Sequence, residues 1–191
     1  MASEDEARAG AGEDGELMRR VQTGDEAALG VLMERWELPV KSVIARMVLN
    51  ASEAEELAQE TFVRVWQQRE KFRTGAEFRP WVFAIAVNLA RNRLRWWRKR
   101  PEVSLQEWSD EGAVVGSEQG VGALERKERG AAVREAIAGL PVRLREAIVL
   151  FEYEQMSYAE IATAVGATPK AVETRIARAR EKLKDALRRW V

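Results

Sequence analysis

The chain has 191 residues, enough for one large domain or two small ones, and its apolar share of 46% and charged share of 32% are ordinary for a soluble, helix-rich protein. Basic and acidic residues both number 31, so the net charge of zero indicates no class of partner. The absence of Cys and His excludes disulfides, the usual zinc sites and Ser-His or Cys-His catalysis, and we expect no cofactor or metal.

The N-terminal segment, residues 1–14, is acidic and rich in Ala and Gly, without apolar periodicity. This composition predicts a disordered acidic tail. The segment lacks the basic and apolar stretches of a signal peptide, and no apolar run in the chain approaches the ~20 residues that a membrane span needs. We therefore expect a soluble, cytoplasmic protein.

Helical periodicity extends from Glu16 to about residue 100 and predicts a first domain over residues 15–100. We expect Pro39 to end or kink the first long helix. A second apolar stripe follows it, and Ser52 with Glu55 resembles a capping box for the next helix, which runs to about Lys71. The two apolar stripes consist of Leu29, Leu32, Met33 and Trp36, and of Val43, Ile44, Met47 and Val48.

One more helix is predicted in this domain, from about Glu77 to Arg100, with Pro80 in the first turn, where proline is tolerated. Residues 101–123 then contain Pro, several Gly and five acidic residues but no Lys or Arg, which predicts an acidic, flexible linker. Periodicity resumes at Leu124 and predicts a second domain over residues 124–191. The fold class we expect is all-α, with two small helical domains.

Residues 157–176 have the sequence features of a helix-turn-helix. A capping box starts the first helix, and a glycine that can adopt the left-handed conformation ends it. A second cap, followed by a proline at the favoured first position, starts the second helix. These caps and turn residues are Ser157 with Glu160, Gly166, and Thr168 with Pro169.

The second helix of this motif has an apolar side and a basic side. Val172, Ile176, Ala179 and Leu183 are expected to face inward. Residues 170–189 include eight basic and three acidic side chains, a net charge of +5. Basic side chains contact phosphates, and polar residues early in such a helix reach base edges in the major groove. The candidate DNA-contacting residues are Thr168, Lys170, Glu173, Thr174, Arg175 and Arg178.

Two surfaces of the first domain also stand out by their charge. One is acidic, with Glu53, Glu56, Gln59 and Glu60 on one helix face. Taken alone, such a strip is more often a solvated surface than a partner site, which would need a basic counterpart.

The other surface lies on the predicted helix that ends near Arg100. Asn88, Arg91, Asn92 and Arg95 form a polar and basic stripe on it, and residues 91–100 contain six basic residues and no acid. Indole rings among cations suit a single nucleic-acid strand, because bases stack on the rings and phosphates pair with Arg. The alternative is that Trp96 and Trp97 pack on the domain and the arginines only solubilise it.

Taken together, these segments resemble bacterial RNA polymerase sigma factors of the extracytoplasmic-function (ECF) type. The run from Glu56 to Trp66 resembles the segment that binds core polymerase, usually written with Asp at its first position. Phe78-Arg79-Pro80-Trp81 followed by Ala86-Val87-Asn88 resembles the segment that melts and reads the minus-ten promoter element. Residues 157–180 resemble the helix-turn-helix that reads the minus-thirty-five element. Asn92 stands where the family often has Asp.

The resemblance implies a non-enzymatic promoter-specificity subunit with three contact surfaces. Its partners would be the coiled-coil of the polymerase beta-prime subunit, promoter DNA and an anti-sigma protein. The minus-thirty-five contacts would come from the helix-turn-helix residues named above. Core binding would involve Glu56, Gln59, Glu60, Phe62 and Arg64. Minus-ten contacts would involve Arg79, Trp81, Asn88, Arg91, Asn92 and Arg95.

Two other classes of function fit the sequence less well. A stand-alone helix-turn-helix regulator would bind paired half-sites as a dimer without polymerase, but the sequence offers no sensory pocket and no dimerising heptad. A nucleic-acid-processing enzyme would need a phosphate-binding loop or His or Cys chemistry, and the chain has neither.

Overall fold

The computed structural model describes residues 2–73, 75–99 and 123–189, with side chains from residue 12 in the first range and from residue 128 in the last. The regular secondary structure of these residues is helical, with no strand among them, so the expected all-α fold is confirmed. The predicted linker lies outside the described residues except for Ala123. The helices are α1 (Ala2–Gln22), α2 (Glu26–Val48), α3 (Ala51–Gln67), a 3₁₀ turn (Arg69–Lys71), α4 (Phe78–Lys99), α5 (Ala123–Ala138), α6 (Val142–Glu152), α7 (Tyr158–Val165) and α8 (Pro169–Ala186).

Helix α1 differs from the sequence prediction, because it begins at Ala2, inside the segment expected to be disordered. This helix differs from the disorder expected for residues 1–14, and the contacts of Asp14 fix it to α2 at the end of that segment. Its carboxylate is 2% exposed and accepts a hydrogen bond from Trp36 Nε1 at 2.9 Å. Arg35 Nη1 also donates to Asp14 Oδ1, at 2.5 Å. The acidic composition of this segment therefore gave no indication that one of its acids, Asp14, fixes the helix to α2.

Helix α2 continues through Pro39 to Val48, so of the two expected effects of this proline, an end or a kink, the end is wrong. An interior proline costs about 3 kcal/mol, because it removes one backbone hydrogen bond and crowds the preceding turn. The helix buries Val40, Val43 and Ile44 completely beyond it. Burying three such side chains stabilises the helix by more than the proline costs.

Helix α3 is capped one residue before it begins, by Asn50. The Oδ1 atom of Asn50 accepts from the Glu53 backbone N–H at 2.9 Å. The predicted capping box of Ser52 and Glu55 is therefore wrong, and Glu55 pairs instead with Lys41 of α2. This pair helps to hold α2 and α3 antiparallel.

The expected helix-turn-helix is confirmed in α7 and α8. Ser157 and Glu160 form the capping box, and Gly166 ends α7 with a left-handed φ of 66°. Thr168 caps α8, accepting from the Ala171 N–H at 3.2 Å. The inward residues of α8 are Val172, Ile176 and Ala179, all buried, with Leu183 packed against the core.

Helices α1–α4 and helices α5–α8 form two halves whose buried residues join into one continuous cluster. Helix α7 packs on α4, and the C-terminal part of α2 meets α5 and α6. Aromatic rings fill the core of the first half, with Phe72 and Trp81 centroids 5.2 Å apart and Phe78 beside both. No helix in the described ranges has the length and apolarity needed to cross a membrane.

Candidate polymerase and nucleic-acid interfaces

The acidic strip, defined here as Glu56, Gln59 and Glu60 of α3, lies on the outer face of that helix. Glu56 is open to solvent, with 66% of its side chain exposed. Gln59 is exposed as well, and Glu60 accepts from Arg64 Nε at 2.8 Å. The strip therefore presents carboxylates to solvent, where a basic partner surface can reach them.

Phe62 does not share that surface, because only 2% of it is exposed. It was a candidate core-binding residue, and in this fold its ring lies in the core beneath the strip. A direct contact with another protein is excluded in this arrangement. Phe62 supports the strip by holding α3 against the other helices of the first half.

Helix α4 carries a row of polar side chains on its outer side. Asn88, Asn92 and Arg95 are exposed, at spacings of four and three residues, so they share a face. Arg91 is half-buried beside them and donates from Nη1 to Asn88 Oδ1 at 3.2 Å. This row can meet a strand of nucleic acid with amide and guanidinium donors together.

The aromatic candidates of α4 have different environments. Trp81 packs against Phe72 and Phe78, so it belongs to the aromatic core. Trp96 is 40% exposed, whereas Trp97 packs against the buried cluster. Of these three indoles, Trp96 is the most accessible to a base. Trp97 instead packs on the domain, which is the alternative that the sequence left open for both residues.

Two further candidates of α4 face the second half of the molecule instead of solvent. Arg79 Nη1 lies 3.5 Å from Glu160 Oε1 in the capping box of α7. Arg91 donates from Nε and Nη2 to Glu146 of α6, at 2.6 and 2.7 Å. Neither guanidinium is directed outward in this conformation.

The N-terminal turns of α8 present most of the predicted DNA contacts. Lys170, Glu173, Thr174 and Arg178 are exposed. Lys170 Nζ lies 2.8 Å from Glu173 Oε2, and this hydrogen bond and the attraction of the carboxylate raise the pKa of Lys170. Thr174 donates to the Lys170 carbonyl at 3.0 Å, and Arg175 turns inward, with Nη1 3.3 Å from Glu146 Oε1.

The comparisons with known proteins match this division of the chain. Residues 32–100 match the family model for sigma-70 region 2, and residues 130–183 match the one for sigma-70 region 4. The RNA polymerase sigma-H factor of Pseudomonas aeruginosa is 34% identical over 92% of this chain and 94% of its own length. The chain belongs to the sigma-70 family of RNA polymerase sigma factors.

Further relatives place this sigma factor in the ECF group. The ECF RNA polymerase sigma-E factor of Escherichia coli (strain K12) is 32% identical over 86% of this chain and 89% of its own length. The solved structure of CnrH in complex with the cytosolic domain of CnrY is similar with a TM-score of 0.72 and 27% identity, covering 94% of this chain and 99% of CnrH. Sigma factors bind RNA polymerase and direct promoter-specific transcription, and they are regulatory proteins.

Sequence reasoning missed two residues at the acidic strip of this sigma factor. Val63 is 48% exposed and lies one turn beyond Glu60. The sequence could have indicated it, because an apolar side chain stands here on an otherwise polar helix face. Arg93 of α4 pairs with Glu53 and lies 4.0 Å from Glu56, so it links α4 to the strip. The sequence did not distinguish Arg93 from the other basic residues of the run at 91–100.

Glu146 was missed as well, although it meets two candidate DNA-contacting arginines, Arg91 and Arg175. It is 0% exposed. The sequence could have indicated it through the charged pair Arg145-Glu146, which stands directly before the apolar run from Ala147 to Leu150. This position places both charges on a largely buried helix. A buried carboxylate requires partners, but the sequence does not say that one of them comes from α4.

Proposed function

We propose that this sigma factor uses its three surfaces for three separate contacts during initiation. The acidic strip binds the coiled-coil of the polymerase beta-prime subunit. The α4 row, with Asn88, Arg91, Asn92 and Arg95, opens and reads the minus-ten element, assisted by Arg79 and Trp96. The exposed turns of α8 read the minus-thirty-five element. We further propose a domain division at residues 15–100 and 124–191, joined by the acidic linker at 101–123.

The observation that carries the proposal is the separation of an exposed acidic face from two exposed basic faces. Carboxylates on α3 repel DNA, and guanidinium and ammonium groups on α4 and α8 attract it. Each surface thus favours one partner and disfavours the other. A protein partner with basic residues suits the strip, and nucleic acid suits the other two.

Within α8, the exposed residues suggest a division between base reading and phosphate binding. Thr174 and Glu173 lie in the first turns, where side chains of a recognition helix reach base edges. Lys170 and Arg178 flank them and supply charge for phosphates. Thr168 accepts the cap hydrogen bond from Ala171, so it orients the helix and supports the contacts made by the others.

A charge reversal tests the division of labour. Glu56→Lys with Glu60→Lys should abolish binding to core polymerase and leave the affinity of α8 for duplex DNA nearly unchanged. The matched control is Glu34→Lys with Glu70→Lys, which makes the same change in net charge at exposed acids outside the strip. Equal loss of core binding in both double variants would contradict the assignment of the strip, and joint loss of core and DNA binding would contradict the separation.

An anti-sigma protein is proposed as a further partner, because the similar protein CnrH was solved in complex with the cytosolic domain of CnrY. We propose the cytoplasm as the location, where polymerase and promoter DNA are found. If an anti-sigma protein is isolated in complex with the full chain, it should compete with core polymerase for binding to this sigma factor. A ternary complex with core polymerase that is active in promoter-specific initiation would contradict this role.

A further inference from the structure

Glu173 places a negative charge on the surface of α8 that is proposed to meet the minus-thirty-five element. Its side chain is 48% exposed and lies in the second turn of the helix, within a stretch, residues 170–189, of net charge +5. Duplex DNA carries one negative charge per ~1.7 Å of its axis, so it repels a carboxylate directed at it. An acid in this place weakens binding to DNA in general, and a specific contact is needed to offset the repulsion.

The stability of α8 does not account for the pair that Glu173 forms with Lys170. Lys170 is the second residue of the helix, where the positive end of the helix dipole disfavours a cation. Its Nζ lies 2.8 Å from Glu173 Oε2, and 82% of the lysine side chain is exposed. An exposed pair of this kind contributes only about 0.2–0.5 kcal/mol to a helix, and the more favourable order has the acid first. The two residues are better explained by what binds this face.

The neighbouring polar side chains in the first two turns of α8 are committed to other contacts. Thr174 Oγ1 donates its hydrogen to the Lys170 carbonyl at 3.0 Å, and Arg175 Nη1 turns inward to Glu146. Lys170 has three N–H donors, of which one meets Glu173 and two remain for phosphates. The carboxylate of Glu173 is therefore the hydrogen-bond acceptor that these turns offer to a base edge.

The chemistry of a carboxylate restricts the base that it can read. An ionised carboxylate only accepts hydrogen bonds, so it needs a base that donates into the major groove. Guanine presents two acceptors there, and thymine presents an acceptor and a methyl group, so neither fits. Adenine presents its N6 donor beside the N7 acceptor, which opposes the second carboxylate oxygen. Cytosine presents the N4 donor without an adjacent acceptor of its own, and it is the base that fits.

We propose that Glu173 selects a cytosine in the minus-thirty-five element by accepting a hydrogen bond from the N4 amino group of that base. Lys170 is a positioning residue, because it holds the carboxylate and offsets its repulsion from the DNA phosphates. The inference rests on the proposed function for the docking of α8 in the major groove. It requires a C·G base pair at one position of the element, and this requirement should follow the side chain at residue 173.

Glu173→Gln tests the proposal, because it changes the base that fits. The amide of Gln both accepts and donates, which matches N6 and N7 of adenine. Holoenzyme assembled from core polymerase and the full chain is used to select from a library of randomised duplexes, and the bound DNA is sequenced. The wild type should select cytosine at one position of the upstream element. The variant should select adenine at that position and the same bases as the wild type at the others.

Competition between two duplexes that differ only at this base pair measures the size of the effect. Replacing the cytosine should lower the affinity of the wild-type holoenzyme about 5- to 150-fold. Glu173→Ala should abolish this difference, because no acceptor remains. Its affinity for a scrambled duplex should not fall, since the variant has lost a repulsive charge. A merely structural role for Glu173 would instead lower the affinity for every duplex and keep the preference for cytosine.

Glu181→Gln is the matched control, since it makes the same substitution at an exposed acid two turns further along α8. It should keep the preference for cytosine. Lys170→Gln should weaken binding to all duplexes through the loss of a phosphate contact, and cytosine should stay the preferred base because the acceptor is still present.

Three results would overturn the proposal. They are identical base preferences in the wild type and Glu173→Gln, a change at a position where the wild type does not select cytosine, and an equal change in Glu181→Gln. Failure of the proposed function would appear differently, because the duplexes selected by the wild-type holoenzyme would then share no upstream element.

Discussion

Asp14 and Gly166 show how much single residues contribute to this fold. Asp14 fixes α1 through Trp36 and Arg35, although its carboxylate is almost fully withdrawn from water. Gly166 supplies the left-handed residue between the two helices of the helix-turn-helix. The role of Gly166 was predictable, because glycine is the residue that most readily adopts this conformation. The role of Asp14 was not, because its partners lie on another helix.

Asp14 should make stability depend on pH in a direction opposite to that of most ion-paired carboxylates. Desolvation raises its pKa above the ordinary 3.8, outweighing the hydrogen bond from Trp36 and the charge of Arg35, and Glu13 raises it further. The folded state therefore binds the proton more tightly than the unfolded chain. The stabilisation is fully present below the unfolded pKa and is lost as pH rises through the folded one.

Asp14→Asn keeps an acceptor for Trp36 but does not titrate. We expect the melting temperature of the wild type to fall, relative to the variant, as the pH rises from about 3.5 to 7. The measurement is thermal unfolding at a series of pH values. Asp185→Asn is the control, because Asp185 is an exposed acid that pairs with Arg188, three residues further along the chain. A constant difference between wild type and Asp14→Asn across this range would contradict the burial of an ionisable carboxyl.

Two glycine substitutions should have opposite effects on stability. Gly166→Ala places a Cβ at a φ of 66°, which costs about 1–2 kcal/mol even though the space around it is open. Gly30→Ala lies inside α2, also with open space, and should stabilise the protein by about 0.5–1 kcal/mol. Denaturant unfolding measures both. A destabilised Gly30→Ala or a neutral Gly166→Ala would contradict the backbone geometry.

At the scale of helices, most of what the sequence predicted depended on local chemistry. The caps of α7 and α8 and the inward stripe of α8 follow from residues close together in the chain. The differences from the sequence expectation at α1 and α2 have another origin. Tertiary burial overrode the acidic composition of α1 and the proline of α2, and neither effect is visible in a window of a few residues.

The exposed face of α8 should carry sequence discrimination. Thr174→Ala combined with Glu173→Ala should lower duplex affinity for the selected minus-thirty-five sequence, with about 1–3 kcal/mol of discrimination lost for each base contact removed. The measurement is competition between that duplex and a scrambled one, after the sequence has been identified by sequencing the DNA bound to holoenzyme.

Lys184→Ala is the control for this face, because it lies at the far end of the same helix and is exposed. It should weaken binding to both duplexes alike, through the loss of one phosphate contact. Discrimination that survives in the double variant would contradict the assignment of these turns to base reading.

At the scale of the whole molecule, two helical halves and a helix-turn-helix could be predicted, but the contact between the halves could not. Arg91 and Glu146 are 55 residues apart in the chain, and Arg145 and Met47 are 98 apart. No periodicity relates such pairs. Most candidate residues lie on accessible faces, because no other helix covers them. The exceptions are Phe62, Trp81, Arg79, Arg91 and Arg175.

Arg145 should couple the stability of the two halves. It donates to the carbonyls of Met47, Ala138 and Leu140, and burial lowers its pKa. Arg145→Met leaves these acceptors without that donor, at a cost of about 1–3 kcal/mol for each that stays buried. We expect a lower melting temperature and two resolved transitions in calorimetry.

Arg143→Met is the control for this coupling, since Arg143 is exposed two residues earlier on α6. It should melt like the wild type. A single, unshifted transition in Arg145→Met would contradict a role for Arg145 in joining the halves.

The central claim is that this chain directs core RNA polymerase to promoters. Run-off transcription from a promoter template, with purified core polymerase and the full chain, tests it most directly. We predict a discrete transcript that requires the chain and disappears with Glu56→Lys and Glu60→Lys together. Core polymerase that makes the same transcripts with and without the chain, on templates selected by its own DNA binding, would contradict the claim.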